Sequence, residues 1–452
     1  MKIKVLKEYK LGIKPKQVRS CEVNLGNEKG RFFAYCEDPN ADPCNALLTV
    51  NRSPMHIAMY GEEGQQLWHR ELGLGLVAGI WFMPFIAWDM DGDGIDEIWF
   101  VNNTSEHQFE VRSRVLERVD AITGKTVATY PFAADNTGWV SLGTAYRYSL
   151  YGGYVHGKPV LVTQQGTYDD MYFQCYNSDM TLRWESVVKE DGGAKASHST
   201  PIIDLNDDGV DEALIGERVL SLDTGEELAC FDKGKFNGHS DVVLPFTDFN
   251  SGKKMIFTCR ETGNYEGCPR IVMYDYDGNK EWQDVYIYDA TQYASGHMHM
   301  GYVIYAKPDY RRVAVGIQDT GECYVYDAIT GEKTELPDIR LNVMRPVDIN
   351  GDGYHEFITW GERSEYAKLY DSEGNIVCCI GGELMQAGKW DGFKGEQILT
   401  FYSEEGVVRM WGDIEAEDSE VLMSRYKTSF HKTMNKMTGN GYNWLSSISC
   451  GG

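Results

Sequence analysis

The chain has 452 residues, and its 43 Lys and Arg against 68 Asp and Glu leave a formal net charge of −25; that excess argues against nucleic acid as a partner and against free attraction of an acidic polysaccharide. A polyanionic substrate therefore requires a locally basic cleft, with arginines near the ligand. The 48 glycines and 12% aromatic residues suit many short strands joined by tight turns.

At the amino terminus, Met1 to Lys10 alternates apolar and basic residues without the hydrophobic core of a signal peptide, and no later stretch reaches the apolar length of a membrane span. A cytoplasmic protein with no membrane partner is expected. The strand near Lys2 to Val5 is expected to pair with the last sheet of a closed ring, which removes an exposed edge. A hairpin signature of strand, Gly turn and strand then runs from Tyr60 to Trp68 and recurs at Asp120 to Thr126, Tyr176 to Trp184, Leu222 to Leu228, Tyr274 to Trp282, Tyr326 to Glu332 and Tyr370 to Ile376. A weaker eighth runs from Gln397 to Trp411. Repeats roughly 43 to 60 residues apart are the spacing of propeller blades. Long 3.6-residue periodicity is nearly absent, which excludes α/β and helical-solenoid architectures. The expected fold is all-β, an eight-bladed β-propeller with seven blades as the alternative, in a single domain over residues 1–452. The acidic run Glu415 to Glu420 opens a segment, 415–452, expected to return across the body.

Out of phase with the hairpins, an acidic loop recurs three times: Asp89-Met-Asp-Gly-Asp-Gly-Ile-Asp-Glu97, Asp204-Leu-Asn-Asp-Asp-Gly-Val-Asp-Glu212 and Asp348-Ile-Asn-Gly-Asp-Gly-Tyr-His-Glu356. Oxygen side chains at positions 1, 3, 5 and 9, with Gly at 6 for the sharp turn, form the ligand set of a hard cation such as Ca²⁺. The expected ligands are Asp89, Asp91, Asp93 and Glu97; Asp204, Asn206, Asp208 and Glu212; and Asp348, Asn350, Asp352 and Glu356. Asx-rich hairpin turns are the plain alternative. The exiting helix of an EF-hand is missing, because Ile98 to Val101 and Phe357 to Trp360 read as strands.

The innermost strand of each blade lines the axis, so a ligand meets the loops that enter those strands. Phasing by the acidic loops places His198, His239, and the pair His297 and His299 at equivalent mouths of successive blades, with Arg345 in a later blade and Tyr146-Arg147 in an earlier one. These imidazoles are expected to converge as an axial cluster, which can serve catalysis or hold a transition metal. Arg260 and Tyr265 near one strand end, and Tyr168 in a Gly-rich stretch, are further candidates. For the tyrosines, packing or sugar stacking weighs above catalysis. The eleven cysteines are an odd number without a Cys-x-x-Cys pair, so reduced, mostly buried thiols are expected.

The run Gly238-His-Ser-Asp241 through Arg260-Glu261, the segment Asp204 to Gly216, the blade Asp391 to Tyr402, and the closing pieces Val407 to Trp411, Ser424-Arg-Tyr426 and Gly441-Tyr-Asn443 resemble the family 11 polysaccharide lyases, the rhamnogalacturonan lyases. Propeller lyases of ulvan are similar in plan. The resemblance implies an eight-bladed propeller, bound Ca²⁺ and β-elimination at a rhamnose–uronic acid bond of a uronate-containing oligosaccharide. From the residues themselves, Arg345 or Arg260 is the candidate to neutralise the uronate carboxylate, His239 the candidate base, and His198 or His299 its partner or the acid. Tyr146, Arg147, His297, Tyr168 and Tyr265 are expected to bind substrate. A non-catalytic Ca²⁺-dependent carbohydrate-binding propeller and a glycoside hydrolase on the same scaffold are the competing readings. The latter needs a second axial carboxylate beside Asp241, which the sequence does not display.

Overall fold

Seven of the eight hairpin signatures become the outer part of a small antiparallel sheet. The computed structural model describes all residues except 44–50, 109, 111, 133–144, 262–266, 285–297, 319, 338–340, 342–343, 360–366, 391 and 444–448. Among the described residues there are eight sheets, seven of four strands and one of three, arranged as the blades of a propeller. The seven-bladed alternative is thereby excluded. The innermost strands of blades 1 to 8 are Gln17–Asn24, Phe85–Trp88, Tyr148–Val155, Ile202–Ile203, Ser240–Thr247, Met298–Ala306, Met344–Val347 and Glu383–Gly388. An inner strand is covered on both faces, so Phe85–Trp88 is buried throughout, whereas the outer strand Thr126–Pro131 alternates between exposed and half-buried residues.

Closure uses the two ends of the chain. The strand Ile3–Lys10 pairs antiparallel with Val407–Asp413, Ile3 opposite Asp413 and Lys10 opposite Val407. It extends beyond the expected Lys2 to Val5 and gives blade 8 its outermost strand. The eighth hairpin signature is accordingly the middle of that blade, where Gln397–Tyr402 pairs with Val407–Asp413.

Neighbouring blades are locked by a repeated contact. Trp68, Trp184 and Trp282, on outer strands of blades 1, 3 and 5, each lie on the turn glycine of the next blade and donate from Nε1 to a carbonyl there, Ala121 O, Leu222 O and Ala328 O, at 2.7, 2.9 and 2.9 Å. The partner glycines 124, 225 and 331 have φ of 70, 73 and 74°, a region open to Gly at little cost. A Cβ on Gly225 would stand 2.5 Å from the Trp184 ring. The recurring Gly and Trp of the hairpin signature are therefore one interlock read twice.

The segment after residue 415 does more than cross the body. Helix α1 (Glu420–Arg425) is capped by Ser419, whose Oγ accepts from Leu422 N, and helix α2 (Ser429–Met434) follows. The Arg425 guanidinium donates to Asp348 of blade 7 at 2.9 Å. Thr433 donates to Ile202 O of blade 4, Arg19 of blade 1 to Gly439 O, and Leu150 N of blade 3 to Asn440 Oδ1. Tyr442 N donates to His198 O, and Gly452 N to Pro245 O of blade 5. The segment thus touches inner strands around the ring, and its buried Phe430, Met434, Met437 and Cys450 join the largest hydrophobic cluster.

The ten described cysteines are free thiols. No helix among the described residues is long and apolar enough to cross a membrane.

Candidate functional site

One buried carboxylate organises the axial mouth. Asp241 opens the inner strand of blade 5 and is 2% exposed; its Oδ1 lies 3.1 Å from His198 Nδ1 and 3.1 Å from His239 Nε2, and its Oδ2 lies 2.7 Å from His299 Nδ1. Burial by itself pushes the Asp241 carboxyl up, but His198 and the hydrogen bonds of His239 and His299 outweigh it and hold the group well below the usual carboxylate range. Asp241 is therefore an anion around which three imidazoles from the entries to blades 4, 5 and 6 are arranged.

His198 has a defined orientation. With Nδ1 against Asp241, its Nε2 faces Tyr168 OH at 3.0 Å and Arg147 Nη1 at 3.1 Å. Both neighbours are donors, so Nε2 is the accepting nitrogen and Nδ1 carries the proton. Burial drives the His198 imidazole well below its ordinary value, with His239, Arg147 and His299 acting in the same direction and Asp241 against it. The imidazole thus stands between a phenol within hydrogen-bond distance of Nε2 and the Asp241 carboxylate, 3.1 Å from Nδ1.

Supporting groups fix this arrangement. The Arg147 guanidinium lies over the Trp81 and Tyr168 rings, 4.6 Å from each centroid, and donates from Nη2 to Asp42 at 3.0 Å. Tyr442 packs edge-on against His198 with centroids 4.7 Å apart, and the His198 and His239 rings are 4.6 Å apart. Glu261 Oε2 is 3.4 Å from His239 Nε2. The ligand atoms of His198, His239, Asp241 and Glu261 lie within 4.8 Å of one another, close enough to share one ion.

His299 is the most accessible of the three imidazoles, 44% exposed in its side chain against 5% for His198 and 4% for His239. It lines a cavity of about 430 Å³ together with Arg345 of blade 7, Met385 of blade 8 and Gln17 and Arg19 of blade 1. Arg345 donates from Nη1 to Met344 O at 2.8 Å and lies over the Tyr302 ring. The carboxylate with its imidazoles and the Arg345 and Arg19 side chains thus meet at one cavity through His299. The guanidinium groups are the local basic surface that an acidic chain needs in order to accept an anion.

The sequence-based candidates divide in the same way. His198, His239, His299, Arg147 and Tyr168 share the mouth, and Arg345 lines the adjoining cavity. Arg260 does not belong there: it is 1% exposed between blades 4 and 5 and donates from Nη2 to Glu217 at 2.6 Å, Asp232 at 2.9 Å and Tyr274 at 2.9 Å, so its charge is already matched. Tyr146 is also set aside from the substrate, 2% exposed against Phe82 and under the Arg114 guanidinium. Tyr265 and His297 lie outside the described residues. The structure adds Asp42 and Trp81, from segments with no distinguishing motif, and Glu261 and Tyr442, which lie in stretches that carry the family resemblance but were given no role from the sequence. Glu261 is the second carboxylate missing from the sequence reading. An oxygen of Glu261 lies within 4.8 Å of one of Asp241, and Asp241 is buried beneath the imidazoles, so it does not face a substrate as one of a glycosidase's paired carboxylates does.

The acidic loops follow the inner strands of blades 2, 4 and 7, whereas the histidines stand at the entrances to inner strands. Loops and imidazoles are therefore at opposite ends of the ring. In the first loop Asp89, Asp91 and Asp93 gather their oxygens within 4.8 Å, and Asp89 accepts from Gly92 N and Gly94 N at 2.7 and 2.9 Å. Glu97 Oε2 accepts from Met90 N, and its other oxygen pairs with Arg118. The second loop keeps the same turn, with Asp204 accepting from Gly209 N and Glu212 from Leu205 N. In the third, Asp348 is fully buried and accepts from Arg425 Nη2, as Asp91 and Glu97 of the first loop accept from Arg118 Nη2.

No family model matches the chain. Two curated proteins of Bacillus subtilis (strain 168) are similar in sequence over part of it. The rhamnogalacturonan endolyase YesW is 23% identical over 222 residues, 41% of this chain and 34% of that protein. The rhamnogalacturonan exolyase YesX is 24% identical over 199 residues, 37% and 32%. The chain thus matches about a third of the length of these relatives. Among solved structures, exotype rhamnogalacturonan lyase YesX superposes with a TM-score of 0.76 at 17% identity, covering 98% of this chain and 80% of that one. The fold is that of the rhamnogalacturonan lyases. A Bacillus licheniformis rhamnogalacturonan lyase gives the same TM-score at 17% identity over 99% of this chain and 82% of its own. The likeness to rhamnogalacturonan lyases therefore covers the whole ring in shape and a part of it in sequence.

Proposed function

We propose that the protein is a polysaccharide lyase that cleaves a rhamnose–uronic acid linkage by β-elimination. The observation that carries this reading is the Asp241 carboxylate holding three imidazoles beside a cavity walled by arginine. Removing the C5 proton of a uronate places charge next to its carboxylate, so that carboxylate must be neutralised as the proton leaves. Arg345 is the group for this task. His299, oriented by Asp241 and opening onto the cavity, takes the C5 proton. The C4–O bond then breaks, a C4=C5 double bond forms, and Tyr168 turns its O–H proton from His198 to the departing oxygen, leaving a phenolate beside the Arg147 guanidinium. His239 replaces its expected role as base with that of a support, since its Nε2 is buried against both Asp241 and Glu261.

Two ions are part of the proposal. The first acidic loop fits Ca²⁺ through Asp89, Asp91 and Asp93, a structural role given its distance from the imidazoles. A divalent ion held by His198, His239, Asp241 and Glu261 would add positive charge against a uronate carboxylate.

Incubation with rhamnogalacturonan oligosaccharides, Ca²⁺ supplied, tests the reading. Ultraviolet absorbance of an unsaturated uronate is expected; a saturated product, or no product from several uronate-containing substrates, overturns it.

A further inference from the structure

Three inner strands carry one extra residue near their entrances. In blade 5 Ser240 lies opposite Arg260 and Val242 opposite Cys259, which leaves Asp241 without a cross-strand partner. In blade 6 Met298 lies opposite Gln318 and Met300 opposite Ile317, which leaves His299 so. In blade 8 the extra residue is Met385, between Leu384 and Gln386. Such a bulge bends its strand and re-aims a side chain. Each extra residue stands at the axial mouth: His299 and Met385 line the 430 Å³ cavity, and Asp241 reaches three imidazoles. The placement of Asp241 therefore depends on whatever holds the bulge of blade 5.

That bulge is held by a buried group the reaction does not use. Ser240 is fully buried, and its Oγ leaves the mouth for the seam between blades 4 and 5, where it donates to Glu217 Oε1 at 2.8 Å. Glu217 has no exposed surface and accepts from Arg260 Nε at 2.8 Å, Arg260 Nη2 at 2.6 Å and Tyr274 OH at 3.0 Å. Because Arg260 lies opposite Ser240, one carboxylate of blade 4 binds both members of the pair that adjoins the bulge. The next residue extends the fixation: Glu261 N donates to His239 O at 3.0 Å, and Glu261 Oε2 lies 3.4 Å from His239 Nε2. A buried carboxylate needs its charge and hydrogen bonds met, and Arg260 and Tyr274 meet them. The bond from Ser240 is additional, and what it adds is the placement of the residues on either side.

We propose that Glu217 is a positioning residue of the axial site: through Ser240 and Arg260 it fixes the bulge of blade 5, and the bulge aims Asp241 at His198, His239 and His299. A constellation of this kind must be held to within about 0.5 Å, and a hydroxyl on a charged acceptor in the neighbouring blade supplies that restraint. The inference rests on the lyase reading for the reaction that this placement serves, but not for the placement itself.

Crystal structures and turnover of the intact wild type, Ser240→Ala and Tyr274→Phe test it. Ser240→Ala removes the tether, whereas Tyr274→Phe removes a donor to the other oxygen of Glu217 and leaves the tether in place. In Ser240→Ala the Asp241 carboxylate is expected to move by about 0.5 Å or more, and kcat for formation of unsaturated uronate to fall about 10- to 100-fold with KM within about twofold. Tyr274→Phe is expected to lower the melting temperature with Asp241 in place and kcat within about twofold of wild type. Asp241 unmoved in Ser240→Ala, or equal losses of kcat in the two variants, overturns the positioning role and leaves Glu217 a clamp between blades. So does an unchanged kcat in a variant whose Asp241 has moved. If Ser240→Ala does not fold, Ser240→Cys, which keeps the size and weakens the bond, decides by the same comparison. A wild type without eliminase activity removes the lyase reading, and the position of Asp241 in the variants then decides this one alone.

Discussion

At the scale of single residues, the site depends on a carboxylate that cannot itself meet a substrate. Asp241 contributes by orientation, holding the imidazoles in one tautomer each, so replacing it by the isosteric amide should leave the shape and lose the chemistry. We expect Asp241→Asn to lower kcat about 100-fold or more with a smaller change in KM, and Tyr168→Phe to lower kcat by 10²–10⁴-fold; unsaturated-uronate absorbance under saturating substrate measures both. A second prediction concerns His56, whose Nδ1 lies 2.9 Å from His69 Nε2 and whose ring stacks on Tyr35. Burial, then the neighbouring imidazole, lowers the His56 pKa. Its folded form therefore stays neutral where the unfolded chain takes up a proton. The stability it contributes is present above about pH 6.5 and lost as pH falls below that value. His56→Phe keeps the stacked ring and should flatten the decline of melting temperature between about pH 6.5 and 5.

At the scale of elements, the sheet units and their connections follow from patterns of period two and from turn glycines, which is why seven hairpins and the terminal strand are legible in the sequence. The tryptophan interlock is legible only in part: the recurrence of Gly and Trp is visible, but the partner of each Trp lies in the next blade, 38 to 53 residues on. Gly225→Ala should cost roughly 1–2 kcal/mol for the left-handed backbone alone, plus the displacement of Trp184, and a drop in thermal midpoint with native-like circular dichroism at low temperature is the expected result. The acidic loops show the opposite case. Their spacing is plain in sequence, yet Asp348 of the third accepts from Arg425, a residue 77 positions away, and no local pattern announces that.

For the whole molecule, closure joins residues 3–10 to residues 407–413, and residues 420–452 reach inner strands of most blades, so stability is shared around the ring. A cation in the first loop should act on that shared stability. We expect Ca²⁺ at about one hundred times its Kd to add about 2.7 kcal/mol to unfolding, seen as a rise in melting temperature that chelation reverses. The rise should vanish in Asp93→Asn, because Asp89, Asp91 and Asp93 gather their oxygens within 4.8 Å of one another, and persist in Asp352→Asn, whose loop shows no such gathering among the described residues. The sequence by itself determined the class of fold, the phase of the acidic loops and the blades that carry His198, His239 and His299, and favoured eight blades over seven, since each of these is a local period or a repeat of fixed spacing. Only the tertiary structure decided that Asp241 binds all three imidazoles, that Tyr442 and Arg19 reach the axial mouth, and that Arg260 is consumed by Glu217. These depend on distances between blades, set by how buried faces pack when the ring closes, and that information resides in no single segment of the chain.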